Sequence, residues 1–200
     1  ARGELADAEV AYRRAIAADP ELTLPLGGLA SLYFEAGRYP QAAAVYNRLV
    51  ALEPDNKAAR LSEATVLIFA GQDAAARARL EEALERHPDD LDVLDVLSRH
   101  LAAANDHAVR DGARAVELAE KVYAAAPTLA SMETLAMAHA EAGDFARAVE
   151  WQERLLARAA EEEGEVPERL PANLELYKSR RPCCAAVAAE AGGGDPAGGR

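Results

Sequence analysis

Four histidines, an acidic cluster, two adjacent cysteines and one glycine run are the residues of this chain that could do chemistry. His87, His100, His107 and His139 could ligate a metal or move a proton near neutral pH. None of them has a second His or a carboxylate at the i+3/i+4 spacing of a recognised metal motif with a third ligand in view. Asp89, Asp90, Asp92 and Asp95 look at first like a cation loop, but the D-x-D-x-D-G order is missing and no Glu closes a twelve-residue loop. They read instead as the start of a helix near residue 90, where Asp caps free amides and opposes the positive end of the dipole. Cys183 and Cys184 are neighbours, with Cα atoms about 3.8 Å apart, below the roughly 4.4 Å or more that a disulfide spans. The run Gly192 to Gly199 has no strand before it, no helix after it and no Gly-Lys-Ser/Thr ending, so it is no phosphate cradle. Gly-x-Ser-x-Gly and Cys-x-x-Cys-His are also absent. The sequence therefore predicts a protein that is not an enzyme, with no catalytic residues, no metal site and no cofactor.

The elements that carry these residues are helical. Ala, Leu, Glu and Arg dominate the 200 residues, and all four are strong helix formers. Runs of β-branched residues are scarce, which leaves strands little support. Half of the chain is hydrophobic, but much of that half is alanine, and the large rings are few: three Phe, six Tyr and one Trp. Such a chain buries a core only where small residues let elements approach closely, as when helix packs on helix. The net charge of −12 excludes a surface that tracks phosphates, which needs clustered Lys and Arg, and disfavours anionic lipid. The longest uncharged stretch near the start, Leu22 to Phe34, is shorter than the roughly 20 residues a membrane span needs.

A 34-residue period organises the chain. Pro20, Pro54 and Pro88 obey it, as do Gly3, Gly37 and Gly71, and Ala8, Ala42 and Ala76. The best-preserved copy reads Leu26-x2-Leu29-Ala30-x2-Tyr33, Gly37, Ala42-x3-Tyr46 and Pro54. The small residues belong where two antiparallel helices cross, with Tyr33 and Tyr46 filling the space beside the crossing. Gly37 suits a left-handed helix end, and Pro54 stops the second helix. Glu63 falls where a core leucine is expected and reads as a partly exposed carboxylate beside Arg60.

This pattern resembles the tetratricopeptide repeat over about residues 3–160, with Leu26 where the family often has Trp and Ala30 where it often has Gly. The resemblance implies an all-α fold, a right-handed α-solenoid of antiparallel helix hairpins. The expected organisation is the second helix of a truncated repeat at 1–22 and repeats at 23–56, 57–90, 91–127 and 128–160. The fourth is longer by an insertion at 104–112, a polar, turn-rich linker expected to exchange its amides fastest. Residues 161–182 are expected to form a linker and a capping helix that packs Leu170, Leu174 and Tyr177 onto the last hairpin, and 183–200 a disordered tail. Arg110 to Ala119, Ala140 to Glu153 and Leu174-Glu-Leu-Tyr-Lys178 with Pro182 look like the last repeats of many bacterial tetratricopeptide proteins. Such endings occur on stand-alone proteins and at the C-termini of larger ones, including kinases and membrane glycosyltransferases.

In hairpins of this type the first helices line a concave face. An inward stripe at i, i+3, i+7 and i+10 selects Leu24, Gly27, Ser31 and Phe34; Ala58, Leu61, Thr65 and Ile68; Asp92, Asp95, Arg99 and Ala102; and Ala130, Glu133, Met137 and Ala140. Leu24, Ser31, Phe34, Leu61, Thr65, Ile68, Asp92, Asp95 and Arg99 are the expected peptide-binding residues, apolar over two repeats and acidic at one end of the next. The expected function is a non-catalytic protein–protein interaction scaffold whose groove takes a peptide or helix, with no nucleic acid and no small-molecule substrate. Two alternatives stay open: a spacer or regulatory C-terminal region of a larger bacterial enzyme or membrane protein, and self-association as a homo-oligomer. The chain begins at Ala1, inside a repeat, and reads as a piece of a longer protein. The compartment is open: cytoplasmic is slightly favoured, and periplasmic or membrane-attached placement would depend on what precedes Ala1.

Overall fold

The computed structural model describes residues 2–162 and 166–183; the expected tail from Cys184 onward and part of the 161–168 linker lie outside the described residues. Among the described residues ten α-helices follow one another: α1 (Arg2–Ala18), α2 (Thr23–Glu35), α3 (Tyr39–Leu52), α4 (Lys57–Phe69), α5 (Asp73–Arg86), α6 (Leu91–Ala103), α7 (Gly112–Ala125), α8 (Leu129–Glu141), α9 (Phe145–Glu162) and α10 (Arg169–Lys178). A single 3₁₀ turn, His107–Val109, lies between α6 and α7, and no strand occurs among the described residues. The fold is an all-α tetratricopeptide-type solenoid. It divides into two compact units, residues 1–93 and 94–200.

Local chemistry sets the helix ends. Asn56 accepts the amide of Ala59 and starts α4, Asp111 accepts that of Arg114 and starts α7, and Thr128 with Ser131 forms a reciprocal capping box on α8. Asp90 accepts the amides of Asp92 and Val93, which confirms the capping role read for the acidic cluster. Gly37, Gly71 and Gly143 close α2, α4 and α8 at φ of 69°, 69° and 80°. In each, the glycine amide reaches back three residues and the next amide five, so two otherwise unpaired carbonyls are satisfied. Arg180 ends α10 with the same pair of bonds at φ 56°. α10 thus terminates as the first helix of a repeat does.

Alanine makes the hairpins close. Ala30, Ala42, Ala64 and Ala76 in the first unit and Ala115, Ala136 and Ala148 in the second are wholly buried. Around the first set pack Leu26, Tyr33, Tyr46 and Leu49, with Tyr12 and Ile16 of α1 against them. In the second unit, Met132, Leu155, Ala159 and Leu170 bring α8, α9 and α10 together, and Tyr177 is also fully buried.

Two expectations are corrected. Glu63 is not partly exposed and does not pair with Arg60: it is 2% exposed, accepts from Asn47 Nδ2 at 3.0 Å and lies 3.4 Å from Arg79 Nε. Arg60 turns to Pro54 O at 2.6 Å and Glu82 at 3.8 Å. The 104–112 segment is not a loose linker either. Val109 is buried, and the almost fully buried Arg110 side chain binds Ala104 O at 2.6 Å and Glu141 at 3.2 Å. The Asp111 amide also donates to Leu101 O.

His139 fills the core of α8 at 3% exposure, as its repeat position implies. Burial pushes its pKa below the ordinary imidazole value; Asp144, Glu120 and Glu150 oppose that, and Arg147 reinforces it. The unfolded chain takes a proton on this ring near pH 6.5, where the folded chain resists one. Stability contributed by the neutral ring is therefore lost as the pH falls below about 6.5. Urea midpoints at about pH 7 and pH 5 should separate more in the native chain than in His139→Leu; equal separation contradicts this.

Candidate functional site: a hollow between α2 and α4

In the first unit the neighbouring first helices of two hairpins, α2 and α4, leave a hollow of about 170 Å³ lined by Phe34, Tyr46, Leu61, Ser62, Thr65 and Val66. Its walls are mostly apolar. The polar groups near it are Ser31 Oγ, 3.2 Å from Tyr46 Oη on the rim, the Ser62 hydroxyl, and Thr65, whose hydroxyl donates to Leu61 O at 2.8 Å. Phe34 also joins an aromatic cluster with Tyr39 and Phe69, ring centres 5.3–5.7 Å apart. Phe69 is 56% exposed, so the cluster continues the apolar surface outward.

Of the nine residues expected to bind, Phe34, Leu61 and Thr65 line this hollow, and Ser31 touches one lining residue, Tyr46. Leu24 does not line it: it lies in the first turn of α2, 85% exposed. Ile68 packs against the core of the unit. Asp92 is held in an ion pair, since Lys57 Nζ sits 2.8 Å from both Asp90 and Asp92. Hydrogen bonds to these two carboxylates raise the Lys57 pKa, and Lys57 in turn lowers that of Asp90. In the second unit, Arg99 donates to the Thr134 hydroxyl at 3.2 Å, and that hydroxyl lies 3.5 Å from Asp95. The acidic end expected from the sequence is thus engaged by the protein's own groups.

Of the inward positions of α8, Ala130 is exposed and the other three are engaged. Met137 and Ala140 are buried, and Glu133 is held by both arms of Arg169 at 3.0 and 3.2 Å. Sequence reasoning missed Ser62, Val66 and Tyr46 as lining residues. The first two follow Leu61 and Thr65 by one position, about 100° further round the helix.

Among the described residues no group of His, Cys, Asp and Glu could hold a metal ion, and no helix is long and apolar enough to cross a membrane. A hollow of this size with hydroxyls at its edge can take an apolar side chain and hydrogen-bond the backbone beside it.

Comparison with known proteins agrees with the repeat geometry. A family model described as tetratricopeptide repeat matches residues 1–52 and 35–100, and a second of that description matches 128–167. The human protein O-mannosyl-transferase TMTC1 is 32% identical over 107 residues, which are 52% of this chain and 12% of that protein, so the chain spans a small part of its length. MamA 41-end from Desulfovibrio magneticus RS-1 shares the fold with a TM-score of 0.68 at 17% identity, over 81% of this chain and 89% of that one. YrrB, described as a TPR protein with an unusual peptide-binding site, has a TM-score of 0.65 at 18% identity over 78% of each chain. With two families of repeat model covering most of its length and the hairpins built on buried alanines, the chain belongs to the tetratricopeptide repeat family, a helical scaffold for protein–protein interaction.

Proposed function

We propose that the hollow between α2 and α4 is where this scaffold holds a short partner segment, a helix or an extended peptide anchored by one apolar side chain. The observation that carries the reading is the convergence of Phe34, Leu61 and Thr65 on one cavity with Ser62 and Tyr46 at its walls. Ligand sites are concave, largely apolar and dotted with a few orienting polar groups, and this hollow has that composition. The exposed edge of the aromatic cluster extends the contact beyond the anchor. The scaffold itself does no chemistry in this reading, and it needs no cofactor. The YrrB likeness supports peptide capture by this architecture, although the residues that would do it here are this chain's own.

Peptides selected from a random library on the native protein provide the test. Leu61→Glu places a charge against the anchor and should weaken such peptides by about thirtyfold, with helicity unchanged by circular dichroism. Peptides that bind Leu61→Glu and the native chain equally would remove the hollow from consideration.

A second reading is that the chain acts as the repeat region of a larger membrane or enzyme protein. The match to a stretch amounting to 12% of a human transferase favours it. The two readings are compatible, since such a region would still work by holding a partner.

A further inference from the structure

The 34-residue register allows two equivalent helix crossings to be compared side chain by side chain. At the crossing of α3, α4 and α5, Glu63 is bridged by Asn47 from one side and Arg79 from the other, and Glu82 joins Arg79 at 2.9 Å and Arg60 at 3.8 Å. That crossing is sealed by its own charges. One period earlier, at the crossing of α1, α2 and α3, the same places carry Arg13 for Asn47, Leu29 for Glu63, Val45 for Arg79, Arg48 for Glu82 and Leu26 for Arg60. Both carboxylates are gone, and no ion pair links these five places. What remains is an open trough of about 460 Å³ with Leu26, Leu29, Ile16 and Val45 along it and Arg13 and Arg48 at its rim.

The two guanidinium groups differ. Arg13 is engaged by Glu9 at 2.9 Å and by the Tyr33 hydroxyl. Arg48 donates to the Pro20 carbonyl and pairs with no carboxylate among the described residues. In a chain of net charge −12, a guanidinium without an acidic partner beside an apolar trough is a specific chemical request. The sealed crossing shows what answers it: a carboxylate that reaches across from a neighbouring element.

We infer that this trough is a second docking site, separate from the α2/α4 hollow, for a partner segment that pairs an aliphatic side chain with a carboxylate about one helical turn away. The aliphatic group lies on Ile16 and Val45, above the buried Leu26 and Leu29, and the carboxylate meets Arg48. The partner supplies in trans the acid that Glu63 and Glu82 supply in cis one repeat later.

The probe is a fluorescein-labelled twelve-residue amphipathic peptide with Leu and Glu at i,i+4 spacing, compared with the same peptide carrying Gln for Glu. Anisotropy titrations should show the Glu peptide binding at least about tenfold more tightly than the Gln peptide, with the difference shrinking at high salt. Arg48→Glu should weaken the Glu peptide by about tenfold or more, whereas Leu61→Glu should leave it unchanged; this separates the site from the hollow. Grafting the sealed crossing backward, with Arg13→Asn, Leu29→Glu and Val45→Arg together, should close the trough and end binding. If that triple variant does not fold, Arg48→Glu alone still decides. No binding of the Glu peptide, equal binding of the Gln peptide, or full binding by Arg48→Glu would overturn the inference. So would sedimentation showing a dimer that Arg48→Glu separates, because the trough would then belong to a second copy of this chain.

Discussion

Gly112→Ala is expected to destabilise the second unit by about 3 kcal/mol, a heavy penalty for one methyl group. Gly112 is the first residue of α7, and a Cβ there would lie 2.7 Å from the Cα of Ala142 and nearer still to its amide nitrogen. Both obstacles are main chain at the end of α8, so no side chain can swing aside. Relief requires the start of α7 to move away from α8. The nearby anchors resist that movement: Arg110 is tied to Glu141 and Ala104 O, and the Asp111 amide to Leu101 O. Denaturant titration followed by circular dichroism measures the loss directly. A change below about 1 kcal/mol would show that the two helix ends slide apart freely. Gly28 offers the contrast. A methyl there would meet the Tyr12 ring, a side chain on the neighbouring α1 that can rotate, so the same substitution should cost less.

Tyr177→Ala is the second large effect, about 3–5 kcal/mol, because a fully buried ring is deleted where α10 meets α9. Ion pairs from Arg169 to Glu133 and from Lys178 to Glu153 also hold α10, but they lie nearer the surface. Leu170 enters the cluster of Met132, Leu155 and Ala159, and the buried Gln152 donates from Nε2 to Leu170 O at 2.7 Å. With the ring gone, α10 should detach before the hairpins unfold, and the uncovered face of α9 should loosen next, since repeats are coupled to their neighbours. Limited proteolysis would then cut near residues 163–182 in the variant well before the native chain. Equal cleavage rates would mean that Leu170, Gln152 and the Arg169–Glu133 and Lys178–Glu153 pairs hold α10 without it.

Much of this architecture was legible because its signal is a recurrence. Alanines, glycines and prolines at one interval place crossings, helix ends and stops, and the wholly buried Ala42 and Ala76 lie where that interval puts them. Phe34, Leu61 and Thr65, taken from the inward stripes, line one hollow together. Leu24 and Ile68, taken from the same stripes, lie outside that hollow, because one angular stripe per helix ignores neighbours. A cavity between two helices is lined by facing flanks, so α4 presents Ser62 and Val66 to α2 as well as Leu61 and Thr65. Glu63 failed for another reason. Its environment is set by Asn47 and Arg79, each 16 residues away on a different helix, and no local pattern reveals that pairing. The 104–112 segment looked loose by composition, yet one arginine with a buried side chain fixes it.

The helix ends at Gly37, Gly71 and Gly143 carry a consequence for chirality. All three have positive φ, and a Cβ built there meets nothing within 4 Å, so the obstacle to a side chain is the stereochemistry of the backbone and not a shortage of room. A D-alanine introduced by chemical synthesis matches that geometry, and it would also narrow the conformations open to the unfolded chain, a gain of about 0.4–1 kcal/mol for each site. These three corners are places where a mirror-image amino acid suits a natural solenoid better than any L-residue with a side chain.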